Sequence, residues 1–205
     1  MRILANSGHD RLLDLLRSAC RPGDRLDLAA SDLSLFGFSE LRDALALVSA
    51  ARLVVPAALL EGAAWMGGDG DRAYRNRLEA PWLARQLREW LARRSQVRAT
   101  RGGLDTALAV VADGPAGVAR VVASGASALS TGGLGLTPPE RLSMVMASES
   151  EAEAAAQAGW FDRLWSGLPE SAEPRARLLD SLATIAADHP PSLVYFATLF
   201  HLFRD

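Results

Sequence analysis

Apolar residues recur along this chain at two alternating spacings. Between His9 and Cys20 the leucines at 12, 13, 15 and 16 fall three to four apart, which predicts a helix. Between Arg25 and Ala30, Leu26 and Leu28 alternate with other residues, which predicts a strand. The same reading gives a short strand at residues 2–5, broken by Asn6-Ser7-Gly8, and a turn at Pro22-Gly23-Asp24. Ser39 is a candidate cap for a helix running to Ala50, with Leu41, Leu45 and Val48 on one face. A buried strand over Arg52–Val55 stops at Pro56. Gly67-Gly68-Asp69-Gly70-Asp71 reads as a solvated loop, because two carboxylates are too few for a calcium loop.

A helical region follows from Arg72 to Arg94, interrupted near Pro81, with Trp82, Leu83, Leu87, Trp90 and Leu91 as its apolar stripe. Strands are predicted at 96–100, 106–112, 120–124 and 142–147. Glu149–Leu168 is helical, with Trp160, Phe161, Leu164 and Trp165 along one side. Strands alternating with helices define an α/β layered domain over residues 1–168. Residues 169–205 form a helical connector: a linker at 169–174, a helix over 175–188, and a last helix over 193–203 with almost no polar face. A helix apolar all round must be buried, in its own core or against a partner.

Composition narrows the class. Nearly half the 205 residues are hydrophobic and 22% are charged, as in ordinary globular proteins. The net charge of −2 makes the whole chain no magnet for nucleic acid. One cysteine, Cys20, excludes an intrachain disulfide, and the cytoplasm is the simplest compartment. Residues 1–9 lack the pattern of a signal peptide, and no stretch of about eighteen apolar residues is present to span a membrane. No metal site or cofactor is expected: of the three histidines, His9, His189 and His201, the last two are twelve residues apart with no acidic or cysteine partner at ligand spacing.

Charge is unevenly spread. Nine arginines lie between residues 72 and 101: Arg72, Arg75, Arg77, Arg85, Arg88, Arg93, Arg94, Arg98 and Arg101. Only Glu79 and Glu89 oppose them. Such a block can hold nucleic-acid phosphates through paired guanidinium contacts. It can equally be a solvated helical face paired with acidic neighbours.

Two linked segments carry the most specific signal. Residues 106–114 read T-A-L-A-V-V-A-D-G, and residues 125–134 read G-A-S-A-L-S-T-G-G-L. Together they resemble the phospholipase D signature, His-x-Lys-x4-Asp followed by a glycine-serine-x-asparagine loop. Asp113 and Gly125 match. Thr106 stands at the histidine position, Leu108 at the lysine position and Ala128 at the asparagine position, with Ser127 and Ser130 supplying the loop hydroxyls. The chain contains no lysine at all. Residues 3–46 and the tail 191–205 resemble phospholipase D-like domains attached to bacterial superfamily 2 helicases, and the segment joining them to the motor.

The resemblance implies a phospholipase D-like layered fold with a central mixed β-sheet flanked by helices and a C-terminal helical extension. In that family a histidine attacks phosphorus while lysine and asparagine hold the phosphoryl oxygens. Thr106 is a poor nucleophile without an adjacent base, and Leu108 has no charge to offer a phosphate. The resemblance therefore implies a catalytically silent binding or docking module of an ATP-dependent DNA helicase in DNA defence or repair. Its partners would be a helicase motor domain, nucleic acid, or a second copy in a homodimer. A phosphodiesterase using other residues and a pure protein-interaction subunit are the rival readings. Asp113 has a plain reading too, as an acid entering a turn. The loop over 124–135 can cradle a phosphate with its amides or simply connect two strands.

Overall fold

The computed structural model describes residues 1–61, 65–77, 79–114, 117–125, 128–138 and 144–187. Strand β1 is Arg2–Leu4, followed by helix α1 (Leu12–Ala19), β2 (Arg25–Ala29), β3 (Asp32–Leu33), α2 (Leu35–Leu47) and β4 (Ala50–Pro56). Two short helices, α3 (Ala57–Glu61) and α4 (Arg72–Arg75), precede the long α5 (Ala80–Arg94). Then come β5 (Ser95–Thr100), β6 (Leu108–Ala112), β7 (Ala119–Ser124), β8 (Ala128–Leu129), β9 (Val145–Ala147), α6 (Glu151–Gly167) and α7 (Glu173–Ala186).

Seven strands form one mixed sheet in the order β1-β9-β7-β6-β2-β4-β5. β2, β4 and β5 run parallel, joined by helical crossovers. β6 lies antiparallel to both β2 and β7. The protein is thus an α/β fold with a layered, mixed sheet. The last predicted helix, over 193–203, and both His189 and His201 lie outside the described residues.

Strand alternation sends side chains to two apolar clusters. Leu26, Leu28, Leu53 and Val97 face the larger one, with α1, α2, α5 and α7. Ala29, Val54, Leu108, Val110 and Val122 face the smaller one, covered by Phe161 and Trp165 of α6. Burying each of those two rings contributes about 1.5–3 kcal/mol.

An ion pair pins α6 to its face of the sheet. Asp27, 1% exposed in the middle of β2, accepts from Arg52 Nε and NH2, both at 2.7 Å. Arg25 Nε adds a third bond at 3.1 Å. Arg52 also reaches Asp162 of α6 at 2.7 Å and lies over the rings of Phe161 and Trp165. The Asp27 carboxylate, followed by that of Asp162, raises the Arg52 pKa above its ordinary value.

Several boundaries differ from the sequence reading. Helix α2 begins at Leu35, with Ser34 as its cap: Ser34 Oγ accepts from the Gly37 amide at 3.0 Å. Ser39 falls inside that helix. Its neighbours Phe36 and Phe38 are buried, so packing overrides the cost of Gly37 in the first turn. Helix α7 starts two residues early because Pro174 fits a first turn. A two-stranded sheet of β3 and β8 has no counterpart in the apolar pattern. Trp82 is 42% exposed beneath Arg42, and Trp160 is 42% exposed, so both leave the buried stripes assigned to them. Trp90 alone of the α5 pair packs inward, donating its indole N–H to Leu45 O at 2.9 Å.

Candidate functional site

The β6–β7 ladder brings the two motif segments together. Leu108 pairs with Ser124, and beyond that pair the Gly125 amide donates to Ala107 O at 3.0 Å. Thr106, exposed, is thereby set beside the start of the glycine-rich loop. Leu108 is 5% exposed, in the cluster beneath α6.

Gly125 is obligatory here on two counts. Its φ of 97° lies in the left-handed region, and a Cβ would overlap the Met144 carbonyl oxygen. Ser127 lies outside the described residues. Ala128 lies in β8, its backbone paired with Asp32.

Ser130 closes its own turn: its hydroxyl accepts from the Gly133 amide at 3.2 Å and its carbonyl from the Leu134 amide at 2.9 Å. Asp113 does not join this group. It sits at the far end of β6, roughly 20 Å from Thr106 along the strand. There it pairs with Arg120, which also binds Asp24 at 2.7 Å. This matches the plain reading of an acid at a strand end.

The loop after β8 is packed rather than open. The amides of Gly135, Leu136 and Thr137 donate to loop carbonyls at 3.1, 2.9 and 3.4 Å. With those of Gly133 and Leu134, five of its donors are engaged internally. Leu134 is fully buried, and Thr131 is 1% exposed. Thr131 donates its hydroxyl to Asp71 and touches Thr137 Oγ1 at 3.1 Å. Asp71 is itself 3% exposed and accepts from the Gly68 amide at 3.0 Å. The carboxylate read as solvated is therefore a buried strut between two loops. Asn6, at a φ of 49°, ties the loop to α1: its Nδ2 donates to Gly133 O at 3.0 Å and its Oδ1 accepts from the Leu12 amide at 2.9 Å. The backbone amides of residues 133–137 are thus all engaged within the loop.

The nine arginines do not form one surface. Arg94 NH1 donates to the carbonyls of Leu45, Ala46 and Val48 at 3.2, 2.6 and 2.6 Å, capping the C-terminus of α2. Arg98 NH1 donates to Trp165 O and Leu168 O at the end of α6. Arg75 closes the loop at Met66 and Gly68, and Arg77 stacks on Tyr74. Arg85 reaches Ala186 O at 3.2 Å, and Arg93 pairs with Glu89 at 2.8 Å. Arg72, Arg88 and Arg101 are exposed and make no ion pair among the described residues. Arg85, Arg88 and Arg93 rim a groove of about 630 Å3 between α5 and α7, floored by Leu179, Ala183 and Ala186.

Cys20 is buried, and that burial, with the nearby Asp24 charge, pushes its thiol up to about 11. His9 is exposed in the turn ahead of α1. Neither sits in the β6–β7 ladder.

No family model matches this chain, and no curated protein matches it. No helix among the described residues is long and apolar enough to cross a membrane. What fold and site define is the class: a mixed-sheet α/β protein whose glycine-rich loop is locked at one end of an antiparallel ladder.

Proposed function

We propose that this chain is a catalytically silent phospholipase D-like module that binds or docks rather than cleaves. One observation carries the reading. Leu108, at the position of the phosphate-holding lysine, is part of the apolar cluster under α6, and its neighbours Ala29, Val54 and Val110 are equally without charge. With Thr106 as the sole hydroxyl at the histidine position, the frame offers neither a nucleophile paired with a base nor a cation for the developing charge.

The module serves a superfamily 2 helicase motor, in the same chain or as a partner, as the sequence resemblance implies. Nucleic-acid contact falls to the exposed side of α5, at Arg88 and at Arg85, which also donates to Ala186 O. Arg94 is engaged in capping the carbonyls at the end of α2.

The test is an incubation of purified protein with single- and double-stranded DNA and a chromogenic phosphodiester in chelator. We expect no cleavage above a mock purification. Metal-independent cleavage abolished by Thr106→Ala overturns the reading. A salt titration of DNA binding tests the contact. Arg85→Ala with Arg88→Ala should lower the slope of log affinity against log salt by about 2. An unchanged slope leaves a protein-interaction subunit as the function.

A further inference from the structure

A second cationic site lies away from the motif, at the N-terminal end of the edge strand β5. The end of α6, the start of α7 and β5 enclose an open cleft of about 350 Å3. Gln96, Arg98, Trp165, Glu170, Ser171 and Arg175 line it.

Both guanidinium groups are fixed before any ligand arrives. Arg98 lies 4.4 Å over the Trp165 ring, with NH1 tied to Trp165 O at 2.5 Å and Leu168 O at 3.1 Å. Arg175 NH1 donates to Ser95 O at 3.1 Å. Carbonyl contacts orient an arginine without neutralising it. The one acid in the lining is Glu170, whose carboxylate is 92% exposed and 3.4 Å from Arg98 NH2. An exposed, long pair of that kind compensates little. Arg175 makes no ion pair among the described residues. Glu173 turns away to Arg177 at 2.8 Å. The start of α7 adds its partial positive charge to the same space.

We infer that this cleft binds a phosphoryl group, its oxygens shared between Arg98 and Arg175 and its approach displacing Glu170. Paired guanidinium groups suit phosphate because each offers several N–H donors in one plane. The cleft is large enough for a phosphate carrying a small substituent. This site is independent of the motif reading and stands whether or not the β6–β7 end is silent.

The experiment is calorimetric titration of the intact chain with inorganic phosphate and with pyrophosphate at constant ionic strength. Saturable single-site binding is expected. Arg175→Gln should weaken it roughly tenfold, the loss of one charge-assisted hydrogen bond. Glu170→Gln should tighten it, and Arg2→Gln, on β1 at the opposite edge of the sheet, should leave it unchanged. Circular dichroism confirms that each variant is folded. Oligonucleotides with a 5′-phosphate or a 5′-hydroxyl then identify the source. Preference for the phosphorylated end over pyrophosphate assigns a nucleic-acid terminus; no preference assigns a free small phosphate. Absence of saturable heat up to about 10 mM phosphate in folded protein overturns the inference. So does equal affinity in Arg175→Gln and the unaltered chain.

Discussion

Leu108 sits directly across the β6–β7 ladder from Ser124, with its side chain sealed beneath α6. The pairing keeps the two motif segments in frame while the residue in frame belongs to the hydrophobic core. A position that the resemblance assigns to phosphate binding therefore holds the fold together.

Replacing that core residue with lysine, the residue the resemblance would place there, should be costly. Leu108→Lys buries an ammonium in the cluster with Phe161 and Trp165, where the Asp27 carboxylate is already held by Arg52. We expect a loss of about 3 kcal/mol or more in urea unfolding, and no gain of phosphodiesterase activity. Leu108→Met, which conserves volume, should cost less than about 1.5 kcal/mol.

The motif glycine should behave as a structural residue. Gly125→Ala combines a left-handed backbone with overlap at the Met144 carbonyl, so we expect a loss of about 2–4 kcal/mol. Thermal unfolding followed by circular dichroism measures it. A neutral outcome would mean that the strand ends near Met144 are free to separate.

Arginines of the basic segment should divide by role. Arg94→Ala strips one donor group from three carbonyls at the end of α2 and should cost about 1.5–3 kcal/mol. Arg88→Ala, on the exposed side of α5, should change stability by less than about 0.5 kcal/mol. Chemical denaturation of the two variants side by side separates capping from surface charge.

Cys20 should be unreactive and should leave an alkaline signature. Its folded pKa of about 11 lies above the ordinary thiol value of 9.0. Between those values the folded state holds a proton that the unfolded chain releases, so stability is intact below about pH 9 and falls as pH rises toward 11. Cys20→Ala should flatten that decline in denaturation midpoints measured across the window. A thiol reagent at pH 8 should label Cys20 no faster than the protein unfolds.

Much of the fold was legible from local patterning. Leu26 and Leu28 marked β2, the leucines of α1 marked their helix, and the apolar run at 108–111 marked β6. The start of α2 was not: the pattern pointed to Ser39 as the cap, and burial of Phe36 and Phe38 draws the helix back to Ser34. The β3–β8 pair was invisible because two-residue strands have no period to read. At the candidate site, the adjacency of Thr106, Leu108 and Gly125 followed from sequence order and a hairpin. The burial of Asp71 did not, since its partner Thr131 lies sixty residues away.

By itself the sequence determined the alternation of strands and helices and the lack of histidine and lysine in residues 106–134, because both depend only on residue type and spacing. The tertiary structure alone decided which charges are spent. Arg94 meets backbone carbonyls, Asp27 meets Arg52 and Asp71 meets Thr131 only when distant segments converge. A charged group in a protein acts on whatever the fold brings within about 3 Å of it.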